Sequence, residues 1–212
     1  MRFIYLHGFA SSPRSTKAVF FSERLTRLGH AVDVLDLEEG DFEGLTITRQ
    51  LALVRRAIAR ASGELALIGS SMGGYLALLA AAEEPRVRQL MVMAPAIDMR
   101  AQWATRYGAE KLAAWKSAGA APTFHHAQGE ERRIGYRLYE DLGQYDPAPT
   151  ARISTLAFMG RRDETVAPAA VEQWASQNAT VHLRWLDSGH ELLDQLETMW
   201  NESAEFFDFQ RV

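Results

Sequence analysis

The run Gly69-Ser70-Ser71-Met72-Gly73 sets two serines among glycines, and only Ser71 has a glycine two positions away on both sides. An apolar stretch precedes the run and an alanine- and leucine-rich stretch follows it, which predicts a tight turn from strand to helix. In such a turn the central serine takes a strained backbone conformation that lifts its hydroxyl clear of the sheet. Side chains at the flanking positions would collide there, so Gly69 and Gly73 make room. The following helix aims its free N–H groups at the same point, where they favour a developing negative charge. The chemistry implied is nucleophilic attack by Ser71 on a carbonyl carbon.

A serine hydroxyl needs a base to take its proton and an acid to orient that base. Among six histidines, His190 in "LDSGHELL" follows the last strand, at the edge where Ser71 should emerge. His182 falls inside a strand, His125 and His126 fall in an inserted segment, and His7 and His30 precede the serine. For the acid, Asp163 in "GRRDETV" also follows a strand, and its neighbour Glu164 should point away. Asp98, after the preceding strand, and Asp187, close to His190 in the chain, are the alternatives. Charge on the attacked oxygen calls for two preformed backbone donors. Met72 N–H, directly after the serine, is one candidate. The other is Phe9 N–H in the "HGFASS" loop, which His7 and Gly8 would shape.

Such distant residues meet only if a scaffold brings their loops to one edge. Apolar runs of strand length occur at 3–6, 31–37, 64–69, 87–94, 153–160 and 180–186. Between them lie helical patterns: 17–28, a segment carrying Ile47, Leu51, Val54 and Ile58, 72–84, 168–176, and a closing helix from about Glu191. The strands are apolar on both faces, and helices separate them. That pattern predicts a three-layer α/β/α sandwich around a mostly parallel six-stranded sheet, within a single domain over 1–212.

Residues 97–150 interrupt the alternation. They hold no core strand but carry Trp103, Tyr107, Trp115, Phe124, Tyr136 and Tyr139. Helices are expected at 99–107, 109–116 and 136–142, with a hairpin about Gln128–Gly129, the whole forming a helical cap over the strand ends. The acidic loop 36–43, "DLEEGDFE", lacks the alternating ligands of a calcium loop and reads as a solvated connection.

Composition narrows the partners. A net charge of -4 with scattered basic residues gives no footprint for nucleic acid. The chain has no cysteine, which removes disulfides, thiolate metal sites and a cysteine nucleophile. Its first apolar run is shorter than the roughly 7–15 residues of a signal-peptide core. No window approaches the ~18 apolar residues of a membrane helix. The expectation is a cytoplasmic protein with no membrane insertion.

The stretches "YLHGFASSPRSTKA" and "GSSMGGYLA", followed by "RRDETV" and "SGH", resemble the α/β-hydrolase superfamily and, within it, the YqiA-like esterases. The chain is also similar to the acyl-protein and acyl-glucuronide thioesterases of that superfamily. The resemblance implies carboxylester hydrolysis by Ser71, Asp163 and His190, with Phe9 and Met72 as oxyanion donors. It further implies that residues 11–15, "SSPRS", lie near the acyl chain or leaving group. With six strands evident, the chain looks like a minimal member lacking the superfamily's first two.

The expected substrate is a small ester or thioester with an apolar acyl or aryl group, because the inserted segment is rich in aromatics. No cofactor or metal is expected, since the side chains supply both nucleophile and base. Two rival readings use the same features: carbon–carbon hydrolysis of ring-fission diketones, and a non-catalytic member that binds a small ligand or a partner protein.

Overall fold

The computed structural model describes residues 1–209. Its central sheet joins β1 (Arg2–Leu6), β2 (Ala31–Leu35), β3 (Leu65–Ser70), β4 (Val87–Met93), β7 (Ser154–Gly160) and β8 (Val181–Leu186). Their order is β2-β1-β3-β4-β7-β8, and every neighbouring pair is parallel. Helices cover both sides, so central strands bury both faces; all six residues of β3 are buried. This is the predicted six-stranded α/β arrangement, and it explains why these strands read as continuous apolar runs.

The chain runs outward from β1 to β2, then steps back across β1 to β3. Loops leaving β1 and β3 therefore diverge, which opens a crevice at the carboxyl ends of the two strands. Leu6 ends β1 opposite Gly69, so the "HGFASS" loop and the serine turn leave the sheet side by side.

Helix α1 (Thr16–Arg27) is capped by Ser15, whose hydroxyl accepts from Ala18 N–H, and it buries Lys17, Ala18, Phe21 and Leu25 on one face. It packs against the closing helix α7 (Leu196–Phe206). Thr46 caps α2 (Ile47–Arg60) in the same manner. Its buried Ile47, Leu51, Val54 and Ile58 are the periodic positions read from the sequence. The neighbour of α2 is α3 (Met72–Glu83), apolar all round and buried over most of its length, as a central helix must be.

Between β4 and β7 the chain forms α4 (Met99–Ala118), a hairpin of β5 (Ala120–His125) and β6 (Glu130–Gly135), and α5 (Arg137–Leu142). Gly108, at φ 71° and ψ 165°, kinks α4 where the sequence predicted a break between two helices. The indole N–H of Trp115 donates to Ile134 C=O at 2.9 Å, fastening α4 to the hairpin. Tyr75 O–H donates to Asp146 C=O at 2.8 Å, fastening α3 to the same segment. Helix α6 (Pro168–Ser176) then leads to β8.

Two expectations need correction. The last helix starts not at Glu191 but at Leu196, after a single 3-10 turn at Leu193–Gln195. Leu192 takes a left-handed conformation (φ 55°) and is buried, so the chain turns inward there before a helix can begin. The acidic loop is also less solvated than predicted. Leu37 and Phe42 enter the core, and the Glu38 carboxylate pairs with the buried His125 ring at 2.8 Å. Among the described residues no helix is long and apolar enough to cross a membrane.

Candidate active site

Ser71 occupies the N-cap position of α3, yet its hydroxyl caps nothing. Its backbone sits at φ 53° and ψ -119°, a left-handed conformation that a side chain adopts only under strain. Three main-chain bonds hold it there. Ser71 N–H donates to Met93 C=O at 2.8 Å, and Ser71 C=O accepts from Ala96 N–H and Tyr75 N–H, each at 3.1 Å. The glycines serve the close approach predicted for them. A Cβ on Gly69 would lie 2.4 Å from Gly73 C=O, and one on Gly73 would lie 2.2 Å from Leu6 C=O. Neither backbone neighbour can give way, so the turn admits no side chain at either place.

The freed hydroxyl lies 3.1 Å from His190 Nε2, and His190 Nδ1 lies 2.8 Å from Asp163 Oδ2. A carboxylate only accepts, so the Nδ1–H donates to Asp163 and leaves Nε2 as the acceptor for the Ser71 hydroxyl. Asp163 is fully enclosed, whereas His190 keeps 16% of its side-chain exposure. The second carboxylate oxygen of Asp163 accepts from Thr165 N–H and Val166 N–H, both at 2.8 Å, which fixes the carboxylate plane. The two loops are held in register by Arg161 N–H to Leu186 C=O at 2.9 Å and Arg162 N–H to Ser188 C=O at 3.0 Å. Within the histidine loop, the buried Ser188 hydroxyl donates to the Asp194 carboxylate.

The alternatives lie elsewhere. Asp187 is exposed and pairs with Arg162. Asp98 precedes α4 in a left-handed conformation and makes no capping bond. Glu164 is exposed, as expected. His182 points outward from β8, and His125 is engaged by Glu38.

Gly8 abuts the serine: a Cβ there would stand 3.3 Å from Ser71 Cβ. Phe9 follows directly, and neither Phe9 N–H nor Met72 N–H donates to any partner among the described residues. Two free donors thus flank the serine. The loop that carries Phe9 is braced by His7, which is buried. Its Nε2 accepts from Leu37 N–H at 3.2 Å, and Nδ1–H donates to Gly8 C=O at 2.9 Å. Acceptance at Nε2 requires the neutral ring, with its proton on Nδ1. Burial pushes the His7 pKa below its ordinary 6.5, with the neighbouring His125 acting the same way and Asp36 and the Gly8 bond opposing.

A pH prediction follows with a definite sign. Below about pH 6.5 the unfolded chain takes up a proton at this position that the folded chain refuses, so stability falls as pH drops through that window. The slope from this residue is at most about 1.4 kcal/mol per pH unit. Urea unfolding of wild type and His7→Gln between pH 5 and 7.5 should show this part of the slope in the wild type alone. Equal slopes would refute the role given to the ring.

Helix α4 reaches back to the acid's loop. Gln102 accepts from Ala167 N–H at 2.9 Å, and Arg106 donates to Glu164 C=O at 2.8 Å and Thr165 C=O at 3.0 Å. Aromatic rings continue from the serine into this segment. The Phe9 ring lies 5.4 Å from Phe42 and 5.7 Å from Trp103, and Trp103 lies 6.1 Å from Trp115. A separate cavity of about 430 Å³ opens where β4 and β7 begin, at the opposite edge of the sheet, and contains none of these groups.

The family model of the uncharacterised protein family UPF0227 matches residues 2–207. The chain belongs to this family. Among curated proteins none matches this UPF0227 member. Solved structures share its α/β-hydrolase fold. Mouse alpha/beta hydrolase domain-containing protein 10 superposes with a TM-score of 0.83 at 22% identity, over 97% of this chain and 89% of the mouse chain. Est1E from Butyrivibrio proteoclasticus, solved with ferulic acid bound, gives 0.82 at 20% identity, over 97% of this chain and 87% of Est1E. A structure of the metagenome-derived lipolytic enzymes LipS and LipT gives 0.74 at 21% identity, over 98% of this chain and 93% of the other.

Sequence reasoning overlooked three side chains that brace the loops around Ser71 and His190 in this UPF0227 member: His125, Glu38 and Lys17. The His125–Glu38 pair joins a hairpin to a loop 87 positions away, and no local pattern announces it. Leu37 and Phe42 among the acids were the available hint that this loop packs inward. Lys17 was read only as the start of an amphipathic helix, but its amine is buried against the histidine loop.

Proposed function

We propose that this protein is a serine hydrolase that cleaves carboxylic esters or thioesters through an acyl-enzyme on Ser71. The observation that carries the reading is the unbroken hydrogen-bonded path from Ser71 Oγ through His190 to the enclosed Asp163. Esterases and lipolytic enzymes among the structures of the same fold support it.

Ser71 Oγ attacks the carbonyl carbon while His190 Nε2 takes its proton, and Asp163 stabilises the imidazolium that results. Negative charge on the former carbonyl oxygen is met by Phe9 N–H and Met72 N–H. The tetrahedral intermediate collapses, and the alcohol or thiol leaves with the proton from His190. Water then attacks the acyl-enzyme as His190 takes its proton. The second intermediate releases the acid and restores the Ser71 hydroxyl. In this reading residues 97–150 form a cap within one domain. The Phe9, Phe42 and Trp103 rings favour an apolar acyl or aryl group beside the serine.

Incubation with a fluorophosphonate followed by peptide mass spectrometry tests the proposal. One adduct on Ser71 is expected. An unlabelled protein, or an adduct confined to another residue, refutes it.

A further inference from the structure

Helix α1 begins immediately after the loop that carries Phe9, and its first turn contains Lys17. The Lys17 side chain retains only 8% of its exposure. Its ammonium donates to Glu191 C=O at 2.7 Å, and Glu191 is the residue directly after His190. The Glu191 carboxylate stands farther off, at 3.8 Å, and is itself 70% exposed, so solvent screens that ion pair. The short bond is therefore to the main chain of the histidine loop. One side chain ties the start of α1, which follows the Phe9 loop, to the histidine loop.

The location is unfavourable for a cation on two counts. Desolvation penalises the charge, and a helix N-terminus repels it. Burial accordingly pushes the Lys17 pKa down, while the carboxylates of Glu191 and Asp163 oppose that shift. Nor is the amine needed to seat its helix. Ala18, Phe21 and Leu25 bury the same face, and Arg24 pairs with both carboxylate oxygens of Glu197 on α7. Its specific contribution is to the main chain at 190–191.

We propose that Lys17 is a positioning residue, holding the His190–Glu191 main chain so that the imidazole meets Ser71 and Asp163 together. The proposal rests on the hydrolase reading. A base displaced by about 1 Å costs on the order of 100-fold in rate, because the proton transfer depends on the placement of Nε2 relative to the hydroxyl. The loss belongs to turnover, since the hydrogen bond of the Lys17 amine is to the main chain of the histidine loop.

The test compares wild type, Lys17→Met and Lys17→Arg on p-nitrophenyl acetate, with rates expressed per fluorophosphonate-titrated site so that misfolded chains are not counted. Methionine keeps the apolar volume and removes the donor. It should lower kcat by about 10–100-fold with KM within about threefold of wild type. Arginine retains a donor and should recover most of the rate. The proposal is overturned if Lys17→Met turns over within threefold of wild type per titrated site, or if its KM rises as much as its kcat falls. It is also overturned if arginine is as impaired as methionine. A wild type that neither labels nor turns over removes the hydrolase reading and this proposal together, whereas a competent wild type beside an unimpaired Lys17→Met removes this proposal alone.

Discussion

Replacing Ser71 by alanine should lower kcat on p-nitrophenyl acetate by about 10⁴–10⁶-fold while the protein stays folded. The size of the loss reflects what the hydroxyl does in this structure. Its side-chain partner is His190 Nε2, at 3.1 Å. The substitution therefore deletes the proposed nucleophile and leaves the imidazole, the carboxylate and the two flanking backbone donors in place. Stability should change little, because the Ser71 side chain makes no capping bond to α3. The backbone strain at φ 53° is carried by any residue with a Cβ, so alanine inherits it unchanged. Residual hydrolysis above the uncatalysed rate is expected from the donors alone. A variant that keeps most of its activity, at an unchanged melting temperature, would show that Ser71 is not the nucleophile.

The serine turn was readable because steric demands there are local. Gly69 and Gly73 are forced by contacts within five residues of chain and with the end of β1, and those contacts exclude a Cβ at both glycines. The parallel sheet was equally legible, since strands buried on both faces must be apolar throughout. The meeting of Asp163 and His190 was inferred from topology, as both loops leave carboxyl ends of adjacent strands, β7 and β8. What escaped were features that depend on distance across the fold. Nothing near Lys17 indicates that its amine will meet a carbonyl 174 residues away. The start of α7 was misjudged because helical periodicity around Glu191 does not reveal that Leu192 is drawn into the core. The acidic loop was misjudged because its charges outnumber the two apolar residues that decide where it lies.

Asp163→Asn should be nearly as damaging as loss of the serine, lowering kcat by about 10⁴-fold. The reason is an orientation that the backbone imposes. One carboxylate oxygen accepts from Thr165 N–H and Val166 N–H, and the other accepts from His190 Nδ1–H. An asparagine amide has a single oxygen. Turning it toward His190 would set the NH₂ against two N–H donors in a fully enclosed position, leaving three donors without acceptors. The amide oxygen must therefore face the two backbone donors, and the NH₂ faces His190. Nδ1 becomes an acceptor, the ring proton moves to Nε2, and an Nε2–H beside Ser71 cannot take the serine proton. The fold should survive, since the two backbone bonds persist. Heteronuclear NMR of the imidazole nitrogens should report protonation at Nδ1 in the wild type and at Nε2 in the variant. An Asp163→Asn protein that keeps the Nδ1–H tautomer and near-normal turnover would mean that Asp163 does not orient the base.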